Sequence, residues 1–260
     1  MKSISSKDNP ALKALRALVH DPREQRAQGR TVLDGPHLIE AYWHHGGVPE
    51  YFVLSETGSQ NKEAIDLVSR YTGMEVMQVP DRLFRELSPV VTPVGILAVI
   101  AIPALAAEQP LAGNCVLLDA VQDAGNIGAI LRTAAAAGVA EVALGAGCAS
   151  AWSPKTLRAA QGAHFSLRIR EQANLAALLG DYDGACIATV AREGISLFDC
   201  TLPAKVAWLF GNEGAGISAA LLPLADMRVT IPLAAETESL NVAAAAAVCL
   251  FEQVRQRLCC

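Results

Sequence analysis

Aromatic residues make up only 5% of this 260-residue chain, and no apolar run reaches the roughly 18 to 20 uncharged residues that cross a bilayer. A membrane-spanning helix is therefore not expected, while an apolar content of 52% suits a sizeable buried core. No Cys-x-x-Cys and no paired Cys/His spacing occurs. Cys115, Cys148, Cys186, Cys200 and Cys249 stand singly, and only Cys259 and Cys260 are adjacent. An odd set of thiols without ligand spacing reads as reduced cysteines, mostly in the core, and no metal site is expected. The adjacent His44 and His45 read as a helix surface rather than a ligand pair. The opening segment MKSISSKDNPALKALRALVH lacks the uninterrupted apolar stretch of a secretory leader. A soluble, cytoplasmic protein is the expectation.

Excess positive charge is missing too. The net charge is −5, which argues against indiscriminate nucleic-acid binding, where a basic face supplies most of the affinity. The balance is uneven along the chain, however. Up to Arg30, the basic residues Lys2, Lys7, Lys13, Arg16, Arg23, Arg26 and Arg30 face only Asp8, Asp21 and Glu24. On charge alone, a basic docking surface and an ordinary solvated helix face are equally open.

The first part alternates helices and strands. NPALKALRALVH has a helical apolar period, with Asn9 placed to cap it and Pro10 at the first helical position. RTVLDG, EYFVLS, EVMQV and GILAVIAI read as strands, separated by the helices PHLIEAYWHHG, NKEAIDLVSRYTG and DRLFREL. From Pro103 to Asn114 the pattern breaks into alanine, proline and glycine, the composition of a linker. The expected organisation is a small α/β domain over 1–103, a linker over 104–113 and a second α/β domain over 114–260. In the second, the strongly apolar strands CVLLDA, EVALG, SLRIR, ACIATV, VAWLF and MRVTIPL alternate with helices and predict a parallel sheet covered on both faces. A long apolar helix is predicted from about Leu240 to Leu258.

Three stretches stand apart: DAVQDAGNIGAILRTAAAAG, LFGNEGAGIS and IPLAAETESLNVAAAAA. Each lies where a strand hands over to a helix, the place where ligands collect in open parallel sheets. Neither glycine fingerprint for phosphates is complete: GNEGAGIS lacks the lysine of a P-loop, and LGAGCAS has only two of the glycines of a dinucleotide turn.

In this order, the three stretches resemble the motifs of the SPOUT-class RNA methyltransferases, specifically the SpoU/TrmH-type ribose 2′-O-methyltransferases. The first motif is matched by Asn126, Gly128 and Arg132, the second by GNEGAGIS, the third by IPL followed by ESLNVAAAAA. The segment SKDNPALKALRAL to GRTVLDGPHLIEA is similar to the substrate-binding domain that precedes the catalytic domain in members acting on ribosomal RNA. Its acidic-glycine pair appears here as Asp34-Gly35. The resemblance implies an α/β trefoil-knot domain behind a small ribosomal-protein-like α/β domain, S-adenosylmethionine as cofactor, RNA as substrate and a homodimer with the site near its interface. Ribosomal RNA is the implied substrate ahead of transfer RNA, and neither membrane nor metal is implied.

The same resemblance assigns residues. Arg132, Asn126, Glu213, Ser239 and Asn241 are the implied catalytic set, and Thr189, Gly211, Asn212, Gly216, Ile231, Leu233 and Leu240 the implied cofactor positions. Lys7, Lys13, Arg16, Arg23, Arg26, Arg30 and Arg158 are the candidate RNA contacts, with Gln161 and His164 beside the last of them. A guanidinium does not readily give up its proton, so Arg132 either grips a phosphate and polarises the 2′-oxygen or deprotonates only in a reorganised site. Glu213 has two readings: an ion pair with Arg132 or with an arginine of a second subunit, and an acid at a helix N-terminus. Trp152, Trp208 and Phe210 read as core or interface aromatics rather than base-stacking platforms. A fold-retaining RNA-binding factor without activity is the competing class, and the presence of Asn126, Arg132, Ser239 and Asn241 weighs against it.

Overall fold

The computed structural model describes residues 1–90, 92–103, 109–234 and 237–258. Its contacts divide into two compact units, Met1–Ala104 with Trp152–Phe165, and Leu105–Ala151 with Ser166–Cys260. Residues 104–108 of the expected linker and the Cys259-Cys260 pair lie outside the described residues.

The first unit opens with β1 (Lys2–Ser3), α1 (Pro10–His20), α2 (Pro22–Gln28), β2 (Arg30–Asp34) and α3 (Pro36–His44). It continues through β3 (Tyr51–Ser55), α4 (Lys62–Ser69), β4 (Glu75–Val79), α5 (Asp81–Leu87) and β5 (Ile96–Ala101). The Asn9 side chain accepts the Ala11 N–H and Pro10 takes the first helical position, so α1 starts where its sequence places it. The strands form a sheet in the order β1-β4-β3-β5-β2, mixed because β5 runs antiparallel to both its neighbours. Leu12, Leu15 and Leu18 of α1 pack on Val32, Val53, Val79 and Val99 in one apolar cluster. Sequence periodicity missed α2, a single short helix capped by Asp21 and closed by the left-handed Gly29. His44 and His45 are exposed at the end of α3.

The second unit contains β6 (Cys115–Leu118), α6 (Ala124–Ala136) and β7 (Glu141–Gly145). The next helix, α7 (Pro154–Ala160), falls in the segment that groups with the first unit, where the Thr31 hydroxyl donates to the Trp152 carbonyl at 2.7 Å. The second unit resumes with β8 (Arg168–Ala173), α8 (Leu175–Gly180), β9 (Ala185–Thr189), β10 (Ile195–Ser196), β11 (Val206–Phe210), β12 (Met227–Thr230) and α9 (Val242–Leu258). Its sheet is parallel throughout, in the order β10-β12-β9-β11-β6-β7-β8. Every residue of β6, β7 and β11 is buried, and apart from Glu141 these strands read as continuous apolar runs. From β6 the chain moves outward to β7 and β8, then crosses to β9 and fills β11 between β9 and β6. That reversal of strand order leaves a crevice at the carboxyl ends of β6, β9, β11 and β12.

Trp152, Trp208 and Phe210 are all buried, as the aromatic pattern predicts. The Trp208 indole donates to Gln253 on α9 at 2.9 Å, and Gln253 donates to Asn114 at 3.0 Å, tying helix and sheet together. Burial pushes the Cys115, Cys186 and Cys249 thiols up to about 12, so they behave as small core hydrophobes. Among the described residues, no helix is long and apolar enough to cross a membrane.

Candidate active site

The crevice holds a cavity of about 340 Å³, within the roughly 300–1,000 Å³ range of small-molecule sites. All seven positions assigned to the cofactor line it: Thr189 at the end of β9, Gly211, Asn212 and Gly216 after β11, Ile231 and Leu233 after β12, and Leu240 before α9. Glu213 and Ser239 of the catalytic set line it as well.

The loop after β11 is a built element. Asn212 and Gly216 exchange both backbone hydrogen bonds, at 3.0 and 2.9 Å. The Asn212 side chain accepts the Gly214 and Ala215 N–H groups at 2.9 and 3.0 Å and donates to the Ala120 carbonyl at 2.8 Å. Its amide therefore holds the loop. Asp119, just past β6, accepts the Ser218 N–H at 2.7 Å and anchors the loop's far end. A Cβ on Gly211 would run into the Gly216–Ile217 backbone, so only glycine permits this close return of the chain. Gly216 sits at φ 71, with open space where a side chain would point.

Three of the residues expected to be catalytic, Asn126, Glu213 and Asn241, meet beside this loop. Asp123 caps α6 by accepting the Asn126 N–H at 2.9 Å, which fixes Asn126 in the helix's first turn. The Asn126 side chain donates to Glu213 at 2.9 Å and accepts from Asn241 at 3.0 Å. Asn241 in turn accepts the Ala243 N–H at 2.9 Å, capping α9. A carboxylate at one end and helix N–H groups at the other fix the direction of both amides. The predicted final helix thus begins two residues late, at Val242, because Asn241 serves as its cap and leaves Leu240 free to line the cavity.

Two expectations for Glu213 change. It lies in a turn, not at a helix N-terminus, and its partner is Asn126 rather than Arg132. Burial alone would raise its carboxyl, but hydrogen bonds from Asn126 and from the backbone N–H groups of Glu213, Gln122 and Asp123 outweigh it and hold the group below the ordinary carboxylate value. Arg132 projects from the middle of α6, exposed, outside the cavity lining and without a side-chain partner among the described residues. Ser239 is exposed at the cavity wall.

Sequence reasoning missed Arg192 and Glu238, which also line the cavity. Arg192 was discoverable: TVAREG is another strand-to-loop junction, passed over because it carries one glycine and no amide. The lining fits S-adenosylmethionine. Glycine backbone and Phe210, Ile231, Leu233, Leu240 and Val242 offer apolar walls, while Thr189, Arg192, Glu213, Glu238 and Ser239 supply hydrogen-bonding groups. Two carboxylates against one arginine suit a zwitterionic, cationic nucleoside and disfavour a pyrophosphate.

Of the candidate RNA contacts, Lys7, Lys13, Arg23, Arg26, Arg30 and Arg158 are exposed and Arg16 is half-buried. Lys13 pairs with Asp8 at 3.1 Å, Arg30 with Glu50 at 2.8 Å and Arg16 with Glu86. Lys7, Arg23 and Arg26 make no ion pair with any described residue.

Fold and cavity together define a parallel α/β protein built to hold a small nucleoside-like ligand at the carboxyl ends of its strands. Comparison with known proteins narrows the class. The SpoU rRNA Methylase family matches residues 113–251, and an MRM3-like substrate binding domain matches residues 9–98. The chain is 35% identical over 257 residues to the 23S rRNA (guanosine(2553)-2′-O)-methyltransferase RlmP of Bacillus subtilis, covering 96% of this chain and 98% of that one. Among solved structures, the SpoU methyltransferase AviRb of Streptomyces viridochromogenes in complex with AdoMet superposes with a TM-score of 0.86 at 27% identity, over 96% of this chain and 98% of that one. An AdoMet-bound rRNA methyltransferase from Sinorhizobium meliloti gives 0.84 at 25% identity, over 98% and 97%. The chain belongs to the SpoU rRNA methylase family, and as such is a methyltransferase whose methyl donor is S-adenosylmethionine.

Proposed function

We propose that this protein methylates a ribose 2′-hydroxyl of ribosomal RNA. The observation that carries the reading is the Glu213–Asn126–Asn241 chain, which joins all three motif stretches at the rim of the cofactor cavity. When bound, S-adenosylmethionine supplies an electrophilic methyl group on a sulfonium centre. The protein's part is then to hold the hydroxyl in line and to stabilise the charge that develops on it, and alignment alone is worth on the order of 7–11 kcal/mol in favourable cases. Ser239 and the Asn126 and Asn241 amides provide donors and acceptors suited to a ribose and its phosphates. Arg132, its side chain without a partner among the described residues, grips a phosphate and polarises the 2′-oxygen as a fixed cation.

The first unit serves as the RNA-docking domain, with Lys7, Arg23 and Arg26 as its available cations and Arg158 added by α7. A narrow set of basic groups on an acidic chain favours a chosen site over indiscriminate binding. The working form is a cytoplasmic homodimer; Phe251 and Leu258, exposed apolar residues on α9, support a second copy packing there. Incubation with labelled S-adenosylmethionine and unmodified ribosomal and transfer RNA, followed by mapping of ribose methylation, tests the reading. Label on ribosomal RNA riboses is expected. Transfer to transfer RNA alone would overturn the substrate, and no transfer together with no cofactor binding would overturn the enzyme.

A further inference from the structure

A second cavity, of about 230 Å³, lies wholly within the first unit and shares no residue with the cofactor site. It is smaller than the roughly 300–1,000 Å³ that enclose a drug-sized ligand, a size for one planar ring system. Val32 and Leu38 give it apolar wall, and Asp34, His37, Arg158 and Gln161 bring polar groups to it.

The Asp34 carboxylate is held in place, and the Arg158 guanidinium is left available. Asp34 ends β2, where Gly35, at φ 91, turns the chain into α3. One Asp34 carboxylate oxygen accepts the Ser88 hydroxyl at 2.5 Å, and the Ser88 oxygen itself accepts the Val90 N–H at 3.1 Å. The other Asp34 oxygen has no hydrogen-bond partner among the described residues. Burial raises the Asp34 carboxyl above its ordinary value, with the Ser88 hydrogen bond and the Arg158 charge partly offsetting it. Arg158 sits in the last turn of α7, where its carbonyl accepts the Gln161 side-chain N–H at 2.7 Å. Its guanidinium is exposed and makes no hydrogen bond or ion pair with a described side chain.

An acceptor pair and a planar donor fork on one ring-sized cavity set a demanding pattern. Guanine carries two adjacent donors, N1–H and the 2-amino group, next to two adjacent acceptors, O6 and N7. A carboxylate matches the first pair and an arginine fork the second. Adenine and uracil lack adjacent donors, and cytosine's one amino group leaves the carboxylate half used. RNA proteins read such edges on bases lifted out of the stack.

We propose that this cavity reads an unstacked guanine of the RNA substrate, with the Asp34 carboxylate accepting from N1–H and the 2-amino group and the Arg158 guanidinium donating to O6 and N7. The inference rests on the RNA-methyltransferase reading for its ligand, and it places base specificity in the docking unit rather than beside the methyl donor.

The test is fluorescence anisotropy of the full chain with short single-stranded RNAs carrying one guanine in a uridine background, and with inosine, adenine or cytosine in its place. Wild-type protein should bind the guanine RNA at least about tenfold more tightly than the inosine RNA, which lacks the 2-amino group. Asp34→Asn and Arg158→Gln should each shrink that ratio to about twofold or less while keeping S-adenosylmethionine binding and a cooperative melt. Equal binding of all four RNAs by the wild type, a guanine preference surviving in both variants, or a preference for cytosine would overturn the proposal. So would displacement by free guanosine monophosphate at the concentrations at which the guanine RNA itself competes, which would mark a nucleotide site instead. Because binding is read without methyl transfer, an RNA that binds with guanine preference but is never methylated removes only the enzymatic reading. Methylation without base preference removes only the pocket.

Discussion

Asn126 and Glu213, 87 positions apart in the chain, are joined by a 2.9 Å hydrogen bond from amide to carboxylate. Because Asn126 also accepts from Asn241, its two faces are not interchangeable. Glu213 demands a donor, and the Asn241 amide, its own oxygen committed to the α9 cap, can only give one.

Replacing Asn126 with Asp therefore sets carboxylate against carboxylate. Like charges at this separation cannot both stay ionised without cost, so one of the pair takes up a proton more readily than usual. Methyl transfer by Asn126→Asp should fall by about 100-fold or more near neutral pH, on the scale of losing a preorganised site contact, and recover in part as the pH is lowered. Asn126→Ala, which removes the donor without adding charge, should show no such acid recovery. A pH–rate profile of the two variants decides the matter, and identical profiles would remove charge repulsion from the explanation.

Gly211→Ala tests the loop. The added methyl meets the Gly216–Ile217 backbone, which cannot swing away as a flexible side chain could. A stability loss of about 1–3 kcal/mol is expected from overpacking, with S-adenosylmethionine binding lost by more than the stability change alone accounts for. Gly216→Ala meets no atom and suffers only the strain of φ 71, about 1–2 kcal/mol. Calorimetric binding and denaturant melts of both variants should rank them in that order.

These two residues also show what was legible in the sequence. An amide and a carboxylate among glycines, read with two companion stretches, pointed to the loop, and all seven positions expected to meet the cofactor line one cavity. The links between the stretches were not legible, because hydrogen bonds across 87 and 115 positions leave no periodic trace. Asn212 read as a cofactor contact and lines the cavity, and its half-buried side chain also holds the loop, a role that spacing did not signal. Trp152–Phe165 read as part of the second domain from chain order, whereas its contacts group it with the first unit. The two-residue strands β1 and β10 are too short for alternation to register.

Glu141 supplies a stability prediction independent of the active site. Its fully buried carboxylate pairs with Arg168 at 2.6 Å and with the nearly buried Arg170 across the β7–β8 edge. Glu141→Gln removes a charge that faces Arg170 inside the protein, and breaking a buried pair this way costs about 3–5 kcal/mol. Arg168→Gln, at a side chain 39% exposed, should cost under about 1 kcal/mol, the range of exposed pairs. Urea unfolding monitored by circular dichroism distinguishes them, and equal losses would show that burial does not set the energetics of this cluster.

The lowered carboxyl of Glu213 gives a pH dependence with a definite sign. A group whose native value lies below its unfolded one stabilises the fold fully above the ordinary carboxylate value of 4.5, and that contribution disappears as the pH falls through the lower native value. Glu213→Gln keeps an oxygen for the Asn126 amide but removes the charge. The stability gap between wild type and Glu213→Gln should thus be constant from neutral pH down to about 5 and close below the ordinary carboxylate value. Thermal melts across this range read the gap directly, and a gap that widens toward acid would contradict the hydrogen-bonded carboxylate.

Arg132 offers the sharpest test of how the site is assembled. Arg132→Ala should abolish methyl transfer while leaving S-adenosylmethionine binding near wild type, because the side chain does not line the cavity. Arg132→Lys should not rescue it, since an ammonium cannot reproduce a planar fork on a phosphate. In the proposed homodimer, an arginine without a side-chain partner among the described residues of its own chain is suited to reach the RNA at its partner's cavity. Mixing Arg132→Ala chains with Gly211→Ala chains then rebuilds one working site in each mixed dimer, pairing an intact cavity from one with an intact arginine from the other. Random assembly should restore about a quarter of wild-type activity from two inactive preparations. If Arg132 serves the cavity of its own chain, no mixture regains activity, because each chain then carries its own defect into its own site.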